Sequence, residues 1–383
     1  MKTPLILKNR FVAAAIVGIV VMVAMLTVAA GWACYIDPVK MPLAGILTLA
    51  YGAILIANVV VTVFVAFFSR RLMVVGIAAI VLTLQSALEF CPLNVNGLIT
   101  PTLTPTEQQS AFTLMSFNAH DFEPANGEYL PNGDNPFYEY FLEKDPDIIV
   151  IQEIEVVGPY EPWHLKKHQV DALLERYPHS EAHYRQGVNL AVFSKFPFEV
   201  LWFKAHNGYY AQSQAVNVTL PDGREFTIIN VHLQSLGLTM ADKALYTDVL
   251  KASADRKELS KLRGKVFRKL GRAFKQRAAQ ADTIRQMILT DPRIKENLIV
   301  TGDFNDVQNC WSVRHVCDGT RLRSVYRNVG FGPLITYYYS KMYFRIDHTL
   351  YRGDLKPLYY DCDQTFRYSD HFPVMMEFLL EAK

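Results

Sequence analysis

The chain has few cysteines and none of the cysteine and histidine patterns typical of a zinc site. Five cysteines occur in 383 residues, too few for a disulfide framework. No Cys-x-x-Cys pair and no His-rich zinc spacing is present, so a site for a soft metal ion is disfavoured. Cys310 and Cys317 could form one bridge in an external compartment or remain free buried thiols, and the sequence leaves both alternatives open.

Charged residues are absent from two long segments near the amino terminus. Residues 11–32 and 43–68 contain no Asp, Glu, Lys or Arg, and each is long enough for a helix to cross a bilayer. A third apolar run, 72–88, is shorter and carries two polar residues near its end. A cleaved signal peptide would explain the first run alone, but the two runs that follow favour a retained transmembrane anchor of three helices over 1–89.

The basic residues around these runs predict the orientation of the anchor. Before the first run and between the second and third, the basic residues are Lys2, Lys8, Arg10, Arg70 and Arg71. The only charged residues in the loop between the first two runs are Asp37 and Lys40. After Arg71 no Lys or Arg occurs until Lys144. By the positive-inside rule, the amino terminus is expected in the cytoplasm and the large domain outside it. This expectation depends on the third run crossing the membrane.

The rest of the chain divides into a linker and one large domain. Residues 90–110 are rich in proline and threonine, as linkers are, and 111–383 is long enough for one sizeable core. Apolar runs of strand length recur there, with helical patterns at 162–176 and 240–290. These runs are 112–117, 147–151, 189–193, 215–220, 226–233, 297–301, 346–351 and 373–380. A hairpin turn at 221–223 indicates antiparallel pairing, and strands beside helices indicate an α+β or mixed α/β sandwich.

Short polar motifs follow the ends of several of these apolar runs. In chain order they are Asn118, Gln152-Glu153, His232, Gly302-Asp303-Phe304-Asn305, Asp347 and Ser369-Asp370-His371. Carboxylates, an amide and imidazoles at strand ends suit the binding of a hard divalent cation over a phosphate and the movement of a proton beside it. The sequence therefore predicts a metal-dependent phosphoesterase.

The order and context of these motifs resemble the endonuclease/exonuclease/phosphatase superfamily. Its members include DNase I-like nucleases, abasic-site endonucleases, inositol polyphosphate 5-phosphatases and neutral sphingomyelinases. The resemblance covers about 112–380 and rests on Gln-Glu, Asn-Val-His-Leu, Gly-Asp-Phe-Asn, an Asp before His-Thr-Leu, and Ser-Asp-His-Phe-Pro. It implies a four-layer α/β (α+β) sandwich of two mixed β-sheets flanked by helices.

The resemblance also implies a role for each motif residue. Glu153 is expected to be the principal metal-binding carboxylate, with Asn118 beside it and Asp370 contributing to the same site. A carboxylate at the end of an apolar strand is costly to desolvate unless a positive charge faces it. Mg²⁺ is the expected ion because the ligands are oxygens and few, and Mn²⁺ or Ca²⁺ could replace it.

Five further residues are expected to carry out the catalytic steps. By resemblance, Asp303 orients or deprotonates the attacking water and Asn305 binds the phosphate or the nucleophile. Asp347 fixes the tautomer of His371, which contacts the scissile phosphate or activates water. His232 stabilises charge on the phosphate or protonates the leaving oxygen. The expected reaction is one-step hydrolysis, by in-line attack of an activated water on a phosphodiester or phosphomonoester.

A basic insertion at about 238–290 is the best clue to the substrate. Residues 256–277 contain ten Lys or Arg against the single acid Glu258, and apolar residues recur at helical spacing. The helix could pack with its charges solvated, lie on anionic lipid, or bind nucleic acid. Tethering to a bilayer favours a lipid or headgroup substrate; a membrane-tethered nuclease and an inactive membrane-anchored binding protein remain the alternatives.

Overall fold

The computed structural model consists of an apolar helical bundle joined to a sandwich of two β-sheets. It describes residues 9–95, 102–125, 127, 130–131, 133–154, 165–182, 189–208, 211–237 and 256–381. The helices are α1 (Arg10–Trp32), α2 (Pro42–Ala66), α3 (Arg70–Leu82), α4 (Leu84–Phe90), α5 (Pro105–Gln108), α6 (Pro136–Lys144), α7 (Lys167–Arg176), α8 (Arg256–Thr290), α9 (Trp311–Cys317) and α10 (Val325–Val329).

The bundle contains two helices that are long and apolar enough to cross a membrane, α1 and α2. The third apolar run forms α3 and α4, which meet at Thr83 and are bent by 76° relative to each other. Together they pass the same test of length and composition, either as a broken span or as a re-entrant loop. The first two predicted helices are thus present as long helices, and the third apolar run forms a bent pair that is interrupted where its polar residues begin.

Small residues set the close packing of this bundle. Gly76 of α3 lies against Thr62 of α2, and the Asn58 side chain donates to the Gly76 carbonyl (3.1 Å). Further along the same pair of helices, the Tyr51 hydroxyl donates to Thr83 Oγ1 (3.3 Å). Glycines and threonines allow apolar helices to approach closely and bond across the contact. The residue pairs also show that α3 runs antiparallel to α2, with the end of α3 level with Tyr51 in α2.

Two six-stranded mixed sheets form the larger domain, as the sequence predicts. The strands are β1 (Ala111–Asn118), β2 (Ile148–Gln152), β3 (His179–Ala182), β4 (Leu190–Ser194), β5 (Phe198–Ala205), β6 (Gln212–Thr219), β7 (Glu225–His232), β8 (Leu298–Asp303), β9 (Arg323–Ser324), β10 (Asp347–Arg352), β11 (Leu355–Cys362) and β12 (Val374–Leu380). The first sheet has the order β11-β12-β1-β2-β4-β3 and the second β5-β6-β7-β8-β10-β9. Among these described strands, only the pairs β1/β2 and β7/β8 are parallel.

Side chains that alternate along the strands build three buried layers. Phe112 of β1 stacks on Phe226 of β7 at 4.4 Å between ring centroids, so the two sheets pack face to face. The outer face of the first sheet is covered by α6 and α7, and that of the second by α8 and α9. The result is the helix, sheet, sheet, helix order of the predicted four-layer sandwich.

The sandwich lies against the end of the bundle where α1 ends and α2 begins. Arg314 stacks on the Tyr35 ring at 3.6 Å, and Arg327 donates to the Glu89 carboxylate (2.9 Å). Just after α4, Asn94 donates to the Gly330 carbonyl (2.9 Å). The segment after the bundle is therefore bonded to the domain at its start, within the residues 90–110 assigned to a linker.

All five cysteine thiols are free, which selects the free-thiol alternative for Cys310 and Cys317. The Cys310 sulfur accepts from the Val313 backbone N–H (3.4 Å) and so caps α9. Burial raises the pKa of the Cys310 thiol well above its ordinary value, and the pKa of Cys317 is raised to about 12 for the same reason. Neither thiol is a reactive thiolate near neutral pH.

Candidate metal centre and active site

Five strands bring the polar motifs to one edge of the sandwich. The parallel pair β1 and β2 aligns Asn118 with Gln152, and the parallel pair β7 and β8 aligns His232 with Asp303. Strand β10 is antiparallel to β8 and starts at the same edge, so its first residue, Asp347, lies beside Asp303. Residues far apart in sequence meet because the strand register brings them to the same edge.

The Asn118 amide connects the two carboxylates nearest the centre of this edge. Its Nδ2 donates to Glu153 Oε1 (3.0 Å) and to Asp303 Oδ2 (3.1 Å), while its oxygen accepts from the backbone N–H of His120 (3.2 Å). Glu153 follows directly after β2 with a φ of 52°, a left-handed conformation uncommon for glutamate. After that turn, a carboxylate oxygen of Glu153 lies within 4.8 Å of ligand atoms of His232 and Asp303.

His232 lies between the same two carboxylates. Its Nε2 is 3.5 Å from Glu153 Oε1 and 3.7 Å from Asp303 Oδ2. Burial lowers the pKa of His232, against the opposing effect of Glu153. Burial also opposes ionisation of Glu153, but the adjacent His232 and the Asn118 amide outweigh it and lower the pKa of Glu153. The carboxylate is therefore ionised at neutral pH.

His371 is held by a carboxylate from the neighbouring strand. Its Nδ1 lies 2.8 Å from Asp347 Oδ2, and its Nε2 lies 3.7 Å from Asp303 Oδ2. An ionised carboxylate only accepts hydrogen bonds, so Nδ1 carries the proton and Nε2 faces the centre. The Ser369 hydroxyl donates to the Asn118 carbonyl (2.8 Å) and accepts from the His371 backbone N–H (3.1 Å), which ties this segment to β1.

Asn305 and Gly302 shape the turn that carries Asp303. The Asn305 backbone N–H donates to Asp303 Oδ1 (2.7 Å), and its side chain donates to Asp303 Oδ2 (3.1 Å) and to the Leu233 carbonyl (2.9 Å). At Gly302, with a φ of 136°, an added Cβ would lie 2.1 Å from the Val231 carbonyl oxygen. Glycine is required there because β7 and β8 approach too closely for any side chain.

The donor set fits a hard divalent cation. Ligand atoms of Glu153, His232 and Asp303 all lie within 4.8 Å of one another, and the same holds for Asp303, Asp347 and His371. Asp303 is 1 % exposed. Burial raises its pKa to about 8, assisted by the negative charges of Asp347 and Glu153 and opposed by His371. Converging buried carboxylates are costly unless a cation is present, and oxygen donors suit Mg²⁺, Mn²⁺ or Ca²⁺.

Asp370 lies at the margin of this centre. It belongs to neither group of possible ligands within the described residues, yet its Oδ1 is buried and without a hydrogen-bond partner in the described part of the chain. Asp370 and Glu153 both raise the pKa of His120, which burial alone would lower. Asp370 is thus close enough to act electrostatically on the site.

The sequence motifs did not include two residues that border the site. His120 follows β1 by two residues and faces the acidic groups described above. The Tyr337 ring lies 5.0 Å from the His371 ring, centroid to centroid, whereas Tyr338 stacks on Phe372 at 4.4 Å. The alternation of side-chain directions along the chain is the only sequence signal that would have identified Tyr337, and not Tyr338, as the residue beside the site.

Two further polar residues, Gln152 of the Gln-Glu motif and His348 beside Asp347, have structural partners. Gln152 donates to Asn230 Oδ1 (2.7 Å), and Asn230 in turn donates to the Ile151 carbonyl (3.0 Å), so a buried polar link joins the two sheets beneath the site. His348 lies next to Asp347 but contacts the Asp306 carbonyl through Nε2 (2.8 Å). Burial lowers the pKa of His348 to about 3, which leaves it neutral and outside the site.

Two family models together match nearly all of the chain. One, described as the Endonuclease/Exonuclease/phosphatase family, matches residues 93–371. The other, described as a domain of unknown function, matches residues 10–90, which form the apolar bundle. No curated protein matches the chain.

Solved structures similar to the chain align with about seven tenths of it. A Bacteroides thetaiotaomicron endonuclease/exonuclease/phosphatase family protein is 17 % identical over 71 % of this chain and 98 % of its own, with a TM-score of 0.43. The human Nocturnin catalytic domain with bound sulfate is 15 % identical over 71 % and 95 %, with a TM-score of 0.44. A mannosyl-6-phosphatase of Bacteroides thetaiotaomicron is 18 % identical over 70 % and 99 %, with a TM-score of 0.41.

Proposed function

The chain belongs to the endonuclease/exonuclease/phosphatase family, whose members hydrolyse phosphoester bonds, and from this premise we propose that it is a divalent-metal-dependent phosphoesterase. One observation carries the proposal: the buried Asp303 carboxylate lies within 3.7 Å of two imidazole Nε2 atoms and 3.1 Å of an amide that also binds Glu153. Carboxylate, imidazole and amide groups carried by both sheets thus converge around the Asp303 carboxylate.

Glu153 would be the main protein ligand of the cation, with Asn118 and Asp370 supporting the same position. Glu153 is ionised and partly exposed, with 31 % of its side chain accessible, so it can hold a cation that also meets a substrate. A bound Mg²⁺ would neutralise charge on the non-bridging oxygens of the phosphate. Mn²⁺ or Ca²⁺ would serve with the same oxygen donors.

Asp303 and His371 are the groups that would orient and deprotonate the attacking water. Asp347 keeps the proton on His371 Nδ1, which leaves Nε2 as a hydrogen-bonding group directed at the centre. Asn305 holds both oxygens of Asp303 in place through its backbone and side-chain N–H groups. Water activated there would attack phosphorus in line with the leaving oxygen, and no covalent enzyme intermediate is required.

His232 would act on the leaving group or on charge at the phosphate. It faces Glu153 across 3.5 Å, on the opposite flank of Asp303 from Asp347. Two imidazoles on either side of one carboxylate give the site a proton acceptor and a proton donor. Asn305 would further bind a phosphate oxygen or the nucleophile.

The apolar bundle would anchor the catalytic domain at a membrane. We infer three spans, with the amino terminus in the cytoplasm and the catalytic domain outside it, because basic residues flank the first span and the loop between the second and third. A domain bonded directly to the end of the bundle stays near the bilayer. A lipid or lipid-headgroup phosphoester is therefore the preferred substrate class.

Hydrolysis by the purified full chain tests the proposal. With bis-p-nitrophenyl phosphate, activity is expected with Mg²⁺, is expected to disappear with EDTA, and is expected to return when Mg²⁺ is restored. E153Q should reduce kcat by at least about 10²-fold because it removes a charged ligand, whereas E155Q, two residues away in sequence, should not. Retention of full activity in EDTA, or in E153Q, would contradict a metal-dependent mechanism.

A substrate panel separates the remaining alternatives. The basic residues of α8 favour a second candidate, a membrane-tethered nuclease, since a run of positive charge attracts nucleic acid. Plasmid DNA, sphingomyelin and phosphatidylinositol phosphates should be compared at equal Mg²⁺. Preference for DNA would replace the lipid proposal with the nuclease. If wild type hydrolyses none of these substrates with Mg²⁺ and H371A leaves the cellular function of the chain unchanged, the chain is an inactive membrane-anchored binding protein.

A further inference from the structure

A groove of about 860 Å³ separates the basic helix α8 from the start of the second apolar helix. One wall is formed by α8 and carries Arg268, Arg272 and Lys275. The other wall contains Leu43 and Ile46, in the first turns of α2. The volume of the groove is within the range of small-molecule sites.

Close contact between glycines and rings holds α8 against α2. An added Cβ at Gly45 of α2 would lie 2.6 Å from the Phe274 ring, and one at Gly271 of α8 would lie 3.5 Å from Pro42. Phe274 is buried. The groove is therefore a fixed feature of the junction between bundle and domain.

The three cations on the α8 wall form no ion pair with any acidic side chain that the structure describes. Arg268, Arg272 and Lys275 lie at four- and three-residue spacing, which places them along one face of the helix. All three are exposed. By contrast, Arg277 on another face is fully buried and bonded to Asp306. The groove side of α8 therefore carries positive charge that is open to an anionic ligand.

The opposite wall lies where the apolar segment begins. Leu43 is the first residue of the uncharged run 43–68 and is 53 % exposed. Phe267, on the α8 side, is 45 % exposed. If α2 spans the bilayer, this level is the boundary between headgroups and hydrocarbon on the side of the catalytic domain. An apolar wall beneath a cationic wall matches a molecule with an anionic head and acyl chains.

We propose that this groove binds one anionic phospholipid of the adjacent leaflet, with its phosphate against Arg268, Arg272 and Lys275 and its acyl chains along Leu43 and Ile46. His206 lines the same groove, but it adds no positive charge because burial lowers its pKa to about 4. The lipid would hold α8 at the membrane surface. The inference rests on the proposed membrane anchor and is independent of hydrolysis at the metal centre.

Native mass spectrometry of the full chain in a neutral detergent tests the site. The probes are dioleoylphosphatidylglycerol and dioleoylphosphatidylcholine, titrated separately. Wild type should retain one molecule of the anionic lipid in preference to the zwitterionic one. The triple variant R268Q/R272Q/K275Q should bind it about 100-fold more weakly, because each basic side chain at an anionic surface contributes about 1 kcal/mol and about 1.4 kcal/mol corresponds to a factor of ten.

Two further variants make the result specific. K166Q/K167Q/R176Q removes the same charge from exposed positions on the opposite outer layer, and its lipid binding should equal that of wild type. A279W keeps every charge but fills the groove, since Ala279 is exposed on its lining, and should also displace the lipid. If the triple variant unfolds at a lower temperature than wild type, its loss of lipid binding could come from unfolding. The lipid binding of A279W then decides whether the groove is the binding site.

Three outcomes would overturn the proposal. The first is retention of phosphatidylglycerol by both groove variants at the wild-type level. The second is equally tight binding of glycerol phosphate, which would show that the apolar wall contributes nothing. The third is displacement of the lipid by a single-stranded oligonucleotide of higher affinity, which would assign the cationic face to nucleic acid. Membrane fractionation of the cells that express the chain checks the anchor separately.

Discussion

At His371, the identity of one neighbouring side chain decides which ring nitrogen carries the proton. Asp347 accepts from Nδ1 across 2.8 Å and is itself held by the Thr336 hydroxyl, which accepts from the Asp347 backbone N–H (3.1 Å). Burial disfavours the imidazolium, but Asp347 and Asp303 outweigh it and raise the pKa of His371. When Nε2 gives up its proton, Asp347 keeps the remaining proton on Nδ1. Asp347 is thus a positioning residue whose effect on catalysis passes through His371.

D347N should reduce kcat by roughly 10²- to 10⁴-fold with little change in folding, because an asparagine amide can donate to Nδ1 and so favours the other tautomer, as in comparable His-Asp pairs. The double variant D347N/H371A should be no slower than H371A alone, because the two residues act as one unit. Asp361 is exposed, and D361N is the matched control. Additive losses in the double variant would show that Asp347 acts independently of His371.

Arg277 shows that not every positive charge of the basic helix faces solvent. The side chain is fully buried; its Nε donates to Asp306 Oδ2 (3.1 Å) and its Nη1 to the Gln234 carbonyl (3.0 Å). Asp306 follows Asn305 directly in sequence. Arg277 therefore fastens α8 to the turn that carries the candidate catalytic residues.

R277M should destabilise the domain by about 3–5 kcal/mol, because it leaves the buried Asp306 carboxylate without its cationic partner. The expected observation is a clear fall in the thermal unfolding midpoint of the detergent-solubilised chain. R272M, a change of the same type at an exposed position five residues earlier, should shift the midpoint much less. Equal midpoints for R277M and wild type would show that the pair contributes nothing to stability.

Among the secondary-structure elements, the apolar helices depend on small residues for their packing. At Gly76 of α3, an added Cβ would lie 1.8 Å from Thr62 Oγ1. No neighbour lies within 4 Å of the corresponding position at Gly18 of α1. The two glycines have the same chemistry and opposite surroundings, so only Gly76 is required by a helix contact.

G76V should therefore weaken the α2/α3 contact, whereas G18V should not. Forcing a larger side chain into a packed contact costs about 1–3 kcal/mol, and the Asn58 bond to the Gly76 carbonyl would be strained as well. The measurement is the thermal midpoint of the full chain in detergent together with the fraction that remains monodisperse. Comparable losses in both variants would indicate an effect of valine itself instead of helix packing.

The strands that the sequence predicts are those with continuous apolar runs. All eight runs lie on observed strands, from β1 to β12, because both sheet faces are buried at those positions. The strands β3, β5, β9 and β11 were not predicted; β5 and β11 mix buried and exposed residues, and β9 is two residues long. The helical pattern at 162–176 corresponds to α7, and that at 240–290 to α8, with 155–164 and 238–255 outside the described residues.

For the whole molecule, the antiparallel order of α2 and α3 determines where the catalytic domain lies. The Trp32 indole donates to the Leu82 carbonyl (3.1 Å), so α1 and α3 end at the same level. With two spans alone, the chain would return to the side of the membrane on which its amino terminus lies. A third span carries the catalytic domain to the other side of the membrane. The predicted orientation therefore requires α3 and its continuation to cross the membrane.

Protease protection in sealed cells should show the two chain ends on opposite sides. With epitope tags at both ends, external protease is expected to remove the tag at residue 383 and to leave the tag at residue 1 intact. Permeabilised cells, in which both tags are accessible, provide the control. Protection of both tags in sealed cells would place the catalytic domain in the cytoplasm and contradict a crossing third span.

The family, the two-part organisation and the residue types of the site could all be inferred before any contact was known. Uncharged runs of helix length and polar motifs at strand ends are local patterns, and local patterns are visible in sequence. Which residues meet could not be inferred in this way: the 3.7 Å between His232 and Asp303 and the proximity of His120 and Tyr337 depend on strand register and on the packing of two sheets. The groove beside α8 likewise depends on the packing of α8 against α2, which approach closely at Gly45 and Gly271. Contacts between distant segments follow from the closure of the whole core, which no stretch of sequence specifies alone.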